Sequence, residues 1–392
     1  MGKNYIMNTY NRFNVTFEKG IGSKLYDING KEYIDFVSGI AVNCLGHSHP
    51  SIVKAIAEQS KKLMNVSNLY WTREQNKLAE MLIKISNHNK IFFCNSGTES
   101  VETALKIARK YGKKRGGNAK KEIIYMTNSF HGRTLGALTV TGQEKYKKDF
   151  TPLMEGIKSA QFNNIKDLKD KIGENTCGVI IEPIQGEGGI HVANKNFLKE
   201  ARKLCDMYDA LLIFDEVQCG VGRTGKFFAY QNYEIVPDVV CMAKGLGGGF
   251  PIGAVLAVEK AANVLVPGDH GCTFGGNSLA CRVSMVILKE LIDGGVIKKV
   301  KDKSEYIINK LKYLSKKYEY INEIRGKGLM LGVSITCDAK KFIQKCFKNG
   351  LLLVSAGKNT VRILPPLNIN KGDIDIAVDI IDKTFKEIST KN

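Results

Sequence analysis

Short runs in which every position is apolar recur through the middle of the chain. Ile91-Phe-Phe-Cys94, Ile123-Ile-Tyr125, Cys177-Gly-Val-Ile-Ile181, Ala210-Leu-Leu-Ile-Phe214 and Val239-Val-Cys-Met242 are examples. Such runs are too short for a helix and apolar on both faces, which is the pattern of strands enclosed within a sheet. Helical patterns lie between them, as at 99–111, and from about 90 to 258 the two kinds alternate. That alternation predicts an α/β fold, a mostly parallel sheet with helices on both faces.

The two ends of the chain read differently. Residues 13–36 alternate apolar and polar about Asp27-Ile-Asn29-Gly30, and Asn-Gly is a strong hairpin-turn signal. After Thr273-Phe-Gly-Gly-Asn277 a helix-rich run at 279–318 precedes strands at 329–335, 350–355 and 360–364 and a final helix from about 371. The expected organisation is an N-terminal segment, 1–60, contributing to a small domain, a large domain at 61–280, and a smaller α+β domain at 281–392. Gly-Lys-Lys-Arg-Gly-Gly-Asn at 112–118 reads as a solvated loop.

Charge and cysteine usage narrow the function. A net charge of +19 over 392 residues could serve nucleic acid. The lysines, however, are spread along helical segments such as 297–317, without interleaved aromatics or a DNA-binding module. A lysine-biased surface that favours anionic small substrates is expected instead, with no nucleic-acid partner. Ten scattered cysteines without a Cys-x-x-Cys argue for reduced thiols of a cytoplasmic protein and against a zinc site. His47-Ser-His49 lacks a third ligand nearby and reads as a turn leading into a helix at 51–63, so no metal is expected. The first residues lack the apolar run of a signal peptide, and no segment is long enough to span a bilayer.

Candidate chemistry collects where strands end. Lys244 closes the run Asp238–Ala243 just before a glycine cluster; an amine in apolar surroundings loses basicity and becomes a nucleophile suited to a Schiff base, although a solvated lysine before a loop fits the same letters. Asn95-Ser-Gly97-Thr98-Glu-Ser100 joins a strand to a helix, the geometry that holds a phosphate, and equally an ordinary helix cap. Phe130 and Arg133 follow another strand and suit a planar ring and a carboxylate, and equally plain packing. Asp215 ends the cleanest apolar run, where open α/β sheets place ligands. Phosphate cradle, aromatic face, carboxylate and amine together fit pyridoxal 5'-phosphate. No Walker motif or strand-borne Gly-x-Gly-x-x-Gly supports ATP or NAD.

Longer stretches carry a family resemblance. They are Ile40-Ala-Val-Asn-Cys-Leu-Gly46-His, Ser67-Asn-Leu-Tyr70, Phe130-His-Gly-Arg-Thr-Leu-Gly-Ala137, Glu182-Pro-Ile-Gln-Gly-Glu187-Gly-Gly, Leu212-Ile-Phe-Asp-Glu-Val-Gln-Cys-Gly-Val-Gly-Arg-Thr-Gly225 and Met242-Ala-Lys-Gly-Leu-Gly-Gly-Gly-Phe-Pro-Ile-Gly-Ala254. From end to end the chain resembles the class III, fold-type-I aminotransferases, and among them the acetylornithine aminotransferases of arginine biosynthesis. The resemblance implies a cytoplasmic homodimer that uses pyridoxal phosphate, acetylornithine, 2-oxoglutarate and glutamate. Lys244 would be the Schiff-base lysine and proton shuttle, and Asp215 the partner of the pyridine nitrogen. Phe130 and Val217 would sandwich the ring, with Glu216 and Gln218 also at the cofactor. Gly97 and Thr98 would bind the phosphate, joined by Thr273 of a second subunit. Arg133 would take the substrate carboxylate far from the reacting carbon and Arg362 the near one, with Glu187 as the removable counter-ion of Arg362.

Three places depart from the family pattern. Gly97-Thr98-Glu-Ser100 replaces Gly-Ala-Glu-Ala, Asn277-Ser278 replaces Asn-Pro, and Cys272 stands where a substrate-touching serine is usual. The thiol weakens the expectation for that substrate contact. Ile40 aligns with a tyrosine that helps ornithine aminotransferases hold a free α-ammonium, which favours an acylated donor. Ornithine, succinylornithine and N-succinyl-diaminopimelate remain alternative donors, and aminomutases and decarboxylases share the same lysine and aspartate.

Overall fold

The computed structural model describes residues 5–390. Its centre is a seven-stranded sheet made of β1 (Lys90–Cys94), β2 (Glu122–Met126), β3 (Ile157–Ala160), β4 (Thr176–Ile181), β5 (Leu211–Asp215), β6 (Val239–Met242) and β7 (Gly253–Ala257). In space the order is β1-β7-β6-β5-β4-β2-β3. Only β7 runs against its neighbours β6 and β1, so the sheet is mostly parallel, as the continuous apolar runs predict. Every residue of β4, β5, β6 and β7 is buried. Their side chains feed two apolar layers: Leu212, Phe214, Val240 and Met242 on one face, and Leu211, Ile213, Val239 and Cys241 on the other. Strand alternation therefore divides each run between two cores.

The N-terminal hairpin forms about the expected turn. Lys24–Asp27 and Glu32–Asp35 pair antiparallel, and Gly30, at φ 79°, donates its N–H to the Asp27 carbonyl at 2.9 Å. Glu32–Asp35 also pairs in parallel with Leu351–Leu352, which ties the start of the chain to its C-terminal part. There, Ile321–Lys327, Met330–Ile335, Thr360–Ile363 and Val354–Ala356 form a separate four-stranded sheet. His47 accompanies the turn into the helix Pro50–Ser60 and lies 2.7 Å from the Asp35 carboxylate.

Two local expectations change. Residues 112–116 are the last turn of the helix Gly97–Gly116, not a loop. Gly112 is required by space, because a Cβ would collide with the Lys120 carbonyl and with Cys177, while Lys113, Lys114 and Arg115 complement the negative end of the helix dipole. The helix Ser278–Ile292 begins one residue before the expected helix-rich run at 279 and packs against Pro50–Ser60 and Arg73–Lys84. All ten cysteines are free thiols. Among the described residues no helix is long and apolar enough to cross a membrane.

Candidate active site

The C-terminal ends of β2, β4, β5 and β6 and the start of the helix Gly97–Gly116 surround a cavity of about 430 Å³. Lys244, Asp215, Phe130, Arg133, Gly97, Thr98, Val217 and Gln218 all line it. Parallel strands with helices on both faces leave a crevice beyond their carboxyl ends, and the chemistry sits there.

Lys244 follows β6 at φ 45°, a left-handed conformation uncommon for a residue with a side chain. That turn aims the amine back into the cavity mouth. Burial lowers its pKa; the carboxylates of Glu187, Asp215 and Glu182 oppose that shift, and the charge on Arg362 reinforces it. The result is an amine closer to neutrality than a surface lysine.

Asp215 closes β5 and is held from two sides. One oxygen accepts the Val217 N–H at 3.0 Å, and the other lies 2.7 Å from Nδ1 of His131. His131 is buried, and its Nε2 has no partner among the described residues. The network assigns the proton to Nδ1, which donates to the carboxylate. Between Phe130 and Arg133, His131 carries no sequence signal of its own, since its role depends on a partner 84 positions away. Glu182 carries none either. Its oxygens accept the N–H groups of Phe130 at 3.0 Å and Gly186 at 3.1 Å, and burial, with the Asp215 charge acting the same way, pushes its pKa up to about 7.

The cradle is built from close approaches. Ser96 caps the helix by accepting the Glu99 N–H at 3.3 Å, and among the described residues nothing accepts the N–H groups of Gly97 and Thr98. A Cβ on Gly97 would stand 2.6 Å from the Val217 side chain, so only glycine fits against the cavity wall. Thr98 Oγ1 lies 2.8 Å from Thr134 Oγ1, and Gly132, at φ 142°, leaves room for that hydroxyl. Free N–H groups at a helix start, an aromatic face, a carboxylate and a depressed amine fit pyridoxal phosphate at phosphate, ring, ring nitrogen and aldehyde.

Two arginines flank this cradle. Arg362, on the strand Thr360–Ile363, is fully buried; its Nη1 donates to Glu187 at 2.5 Å and to Gln218 Oε1 at 2.9 Å. Burial alone would raise the Glu187 pKa, but the charge and hydrogen bond of Arg362 outweigh it and hold the carboxyl below its ordinary value. The Gln218 amide therefore belongs to this pair, with its Nε2 3.4 Å from Glu187. Arg133 lines the cavity and is exposed, whereas Arg362 and Glu187 are not part of the lining and meet it through Gln218.

Other expected site residues lie elsewhere. Glu216 faces away from the cavity, where its oxygens accept the N–H groups of Ala229 at 2.6 Å and Tyr230 at 2.7 Å; successive residues at a strand end point to opposite sides. This corrects the expectation of a cofactor contact. Cys272 and Thr273 occupy a loop outside their own chain's cavity; Asn95 donates to the Cys272 sulfur at 3.0 Å, and Thr273 is exposed. Ile40, at φ 60°, borders a neighbouring apolar groove with Val37 and Leu353.

Comparison with known proteins agrees with this geometry. The class-III aminotransferase family model matches residues 5–385. The chain is 60% identical to the acetylornithine aminotransferase of Clostridium acetobutylicum, over 98% of this chain and 100% of that one. It is 46% identical to that of Methanocaldococcus jannaschii, over 98% and 97%. Among solved structures, the N-acetylornithine aminotransferase of Stenotrophomonas maltophilia aligns with a TM-score of 0.87 at 35% identity, covering 98% of each chain. The ornithine aminotransferase of Toxoplasma gondii aligns at 0.95 with 31% identity, covering 99% of this chain and 94% of that one. A further structure of that enzyme is described with pyridoxal phosphate at its active site. The chain belongs to the class III aminotransferases, pyridoxal-phosphate enzymes of fold type I.

Proposed function

We propose that the protein transfers the δ-amino group of N2-acetyl-L-ornithine to 2-oxoglutarate, giving N-acetyl-L-glutamate 5-semialdehyde and L-glutamate, with the reverse direction serving arginine synthesis. The observation that carries this reading is the closed Arg362–Glu187 pair, whose charges act on Lys244, with Arg133 on the lining of the same cavity as Lys244. Acetylornithine has no carboxylate on its reacting carbon, and glutamate has one. A buried arginine with its own counter-ion serves both: Glu187 stays paired for the first and yields to the carboxylate of the second. Arg133 takes the far carboxylate in either case.

Gly97 and Thr98 would hold the cofactor phosphate, Phe130 and Val217 the ring faces, Asp215 the ring nitrogen, and Lys244 the aldehyde carbon. Bound there, the cofactor supplies an electron sink for the carbon that loses its proton. His131 donates to Asp215 and keeps that carboxylate aimed. Lys244, its basicity lowered by burial, accepts the proton at Nζ and returns it.

The acylated donor is supported by high identity to acetylornithine aminotransferases. A second reading, ornithine as donor, is favoured by the overlay on the Toxoplasma enzyme. A cytoplasmic homodimer in which Thr273 reaches the second subunit's cofactor is part of the proposal. The exposed Leu69, Tyr70, Trp71 and Phe274 around that loop support it. So is the division into 1–60, 61–280 and 281–392. The test is a half-reaction screen: purified holoenzyme is mixed with each amine while the cofactor absorbance is followed. Acetylornithine should exceed ornithine in kcat/KM by about tenfold or more; equal or better use of ornithine would overturn the donor while leaving the aminotransferase.

A further inference from the structure

Arg133 is held in an unusual way. Among the described residues its guanidinium makes no hydrogen bond and no ion pair. What positions it is aromatic: its Cζ lies 3.8 Å from the centre of the Tyr146 ring and 5.4 Å from that of Phe130. The two rings meet edge to face at 6.0 Å. Tyr146 does not line the cavity; it stands behind Arg133.

Tyr146 is itself fixed. It ends the short turn Glu144–Tyr146, and its N–H donates to Gln143 at 3.0 Å. On one side Gly142 exchanges backbone hydrogen bonds of 2.9 and 3.0 Å with Asn128 and Ser129, next to Phe130. On the other, the buried Lys147 donates to Tyr125 of β2 at 3.0 Å. The ring is thus anchored to the same strand end that carries Phe130 and Arg133.

We propose that Tyr146 is a positioning residue that orients Arg133 through its ring face, leaving all five guanidinium N–H donors for the substrate's distal carboxylate. A carboxylate partner would hold the arginine as firmly but would compete with substrate; a ring attracts the cation without consuming a donor. Lys145, 4.7 Å from the same ring, adds positive charge at this rim. The proposal rests on the assignment of Arg133 to the far carboxylate.

The test compares Tyr146→Leu and Tyr146→Phe holoenzymes with the parent. Three probes are used: the glutamate half-reaction, binding of glutarate by calorimetry, and the half-reaction of 1,4-diaminobutane, which has no carboxylate. Tyr146→Leu should raise KM for glutamate and Kd for glutarate about tenfold, with kcat spared and diaminobutane unaffected. Tyr146→Phe should bring both constants back to within about threefold of the parent. A parallel loss on diaminobutane, or unchanged glutamate and glutarate constants in Tyr146→Leu, would overturn the proposal. Glutamate is the product of any 2-oxoglutarate transaminase, so the outcome is independent of which amine proves to be the donor. If Arg133→Leu leaves glutamate and glutarate binding intact, it is the assignment of Arg133 that fails.

Discussion

Arg133 lines the cavity and Arg362 meets its wall through Gln218, and the two stand under opposite conditions. Arg362 is fully enclosed, and its Nη1 alone reaches both Glu187 and Gln218. Arg133 is exposed, and among the described residues its guanidinium makes no hydrogen bond or ion pair and lies over the Tyr146 and Phe130 rings. A guanidinium taken out of water needs a counter-charge, so the buried one carries a carboxylate that must be displaced before a substrate can use it. At the rim, water already solvates the charge, so no counter-ion is required and binding displaces none. On the proposed assignment of the two arginines, burial makes one conditional and exposure makes the other constant, which is what an enzyme alternating between two differently charged partners requires.

The largest expected effect isolates this binding from the chemistry. Lys244→Ala should lower turnover by about four orders of magnitude or more, since nucleophile and general base are lost together. Glutarate should still bind, because both arginines remain. Near-normal turnover without added amine would remove Lys244 from the centre of the reaction. Asp215→Asn comes next. Losing the negative charge beside the ring nitrogen, worth about two pK units, should slow both half-reactions by roughly a hundredfold and by similar factors. A variant that slows one half-reaction alone would place Asp215 among the substrate contacts.

Glu187→Gln breaks the comparison directly. With the charge of its counter-ion gone, Arg362 becomes as available as Arg133. The glutamate half-reaction should be kept or quickened. The acetylornithine half-reaction should slow ten- to a hundredfold, as expected for about 1.5–3 kcal/mol lost with one buried charge partner. Stopped-flow measurement of both separates the cases: equal slowing would make Glu187 a purely structural residue.

What the sequence disclosed follows the range of its signals. Asp215 and Lys244 were legible because each ends an apolar run, and burial of such a run leaves its last polar residue at the sheet edge. Gly97 and Thr98 were legible as a strand-to-helix joint. Glu216 was misplaced because motif matching ignores strand alternation, which already sets neighbours 215 and 216 on opposite sides. Gly112 misled because a glycine demanded by the Lys120 carbonyl looks the same as one demanded by a loop. Ile321–Lys327 escaped notice since half its positions are polar, as a strand at the margin of its sheet allows. His131 and Tyr146 were hidden for another reason. Their meaning lies in the side chains they meet, Asp215 and Arg133, and no local pattern marks such a meeting.

The smallest effect expected is the absence of one. Glu187 has its carboxyl held below the ordinary value of 4.5, because Arg362 outweighs the burial that would raise it. The sign follows: a depressed carboxyl contributes its pairing above 4.5 and loses it only as pH falls through the still lower folded value. Between about pH 5.5 and 7.5 Glu187 therefore stays ionised beside Arg362. Each half-reaction alone should quicken as pH rises, because the substrate amine must lose a proton and Lys244 must be neutral to accept one. Those changes are shared by both donors, so they cancel in the ratio of the glutamate rate to the acetylornithine rate. That ratio should vary by less than about twofold across the range, given the tenfold-per-unit change that a titrating partner would impose. Paired stopped-flow series in one set of buffers would show it. A ratio that tilts steeply through neutral pH would mean that the counter-ion of Arg362 titrates in the working range, and the contrast between a conditional and a constant arginine would then be one of protonation and not of displacement.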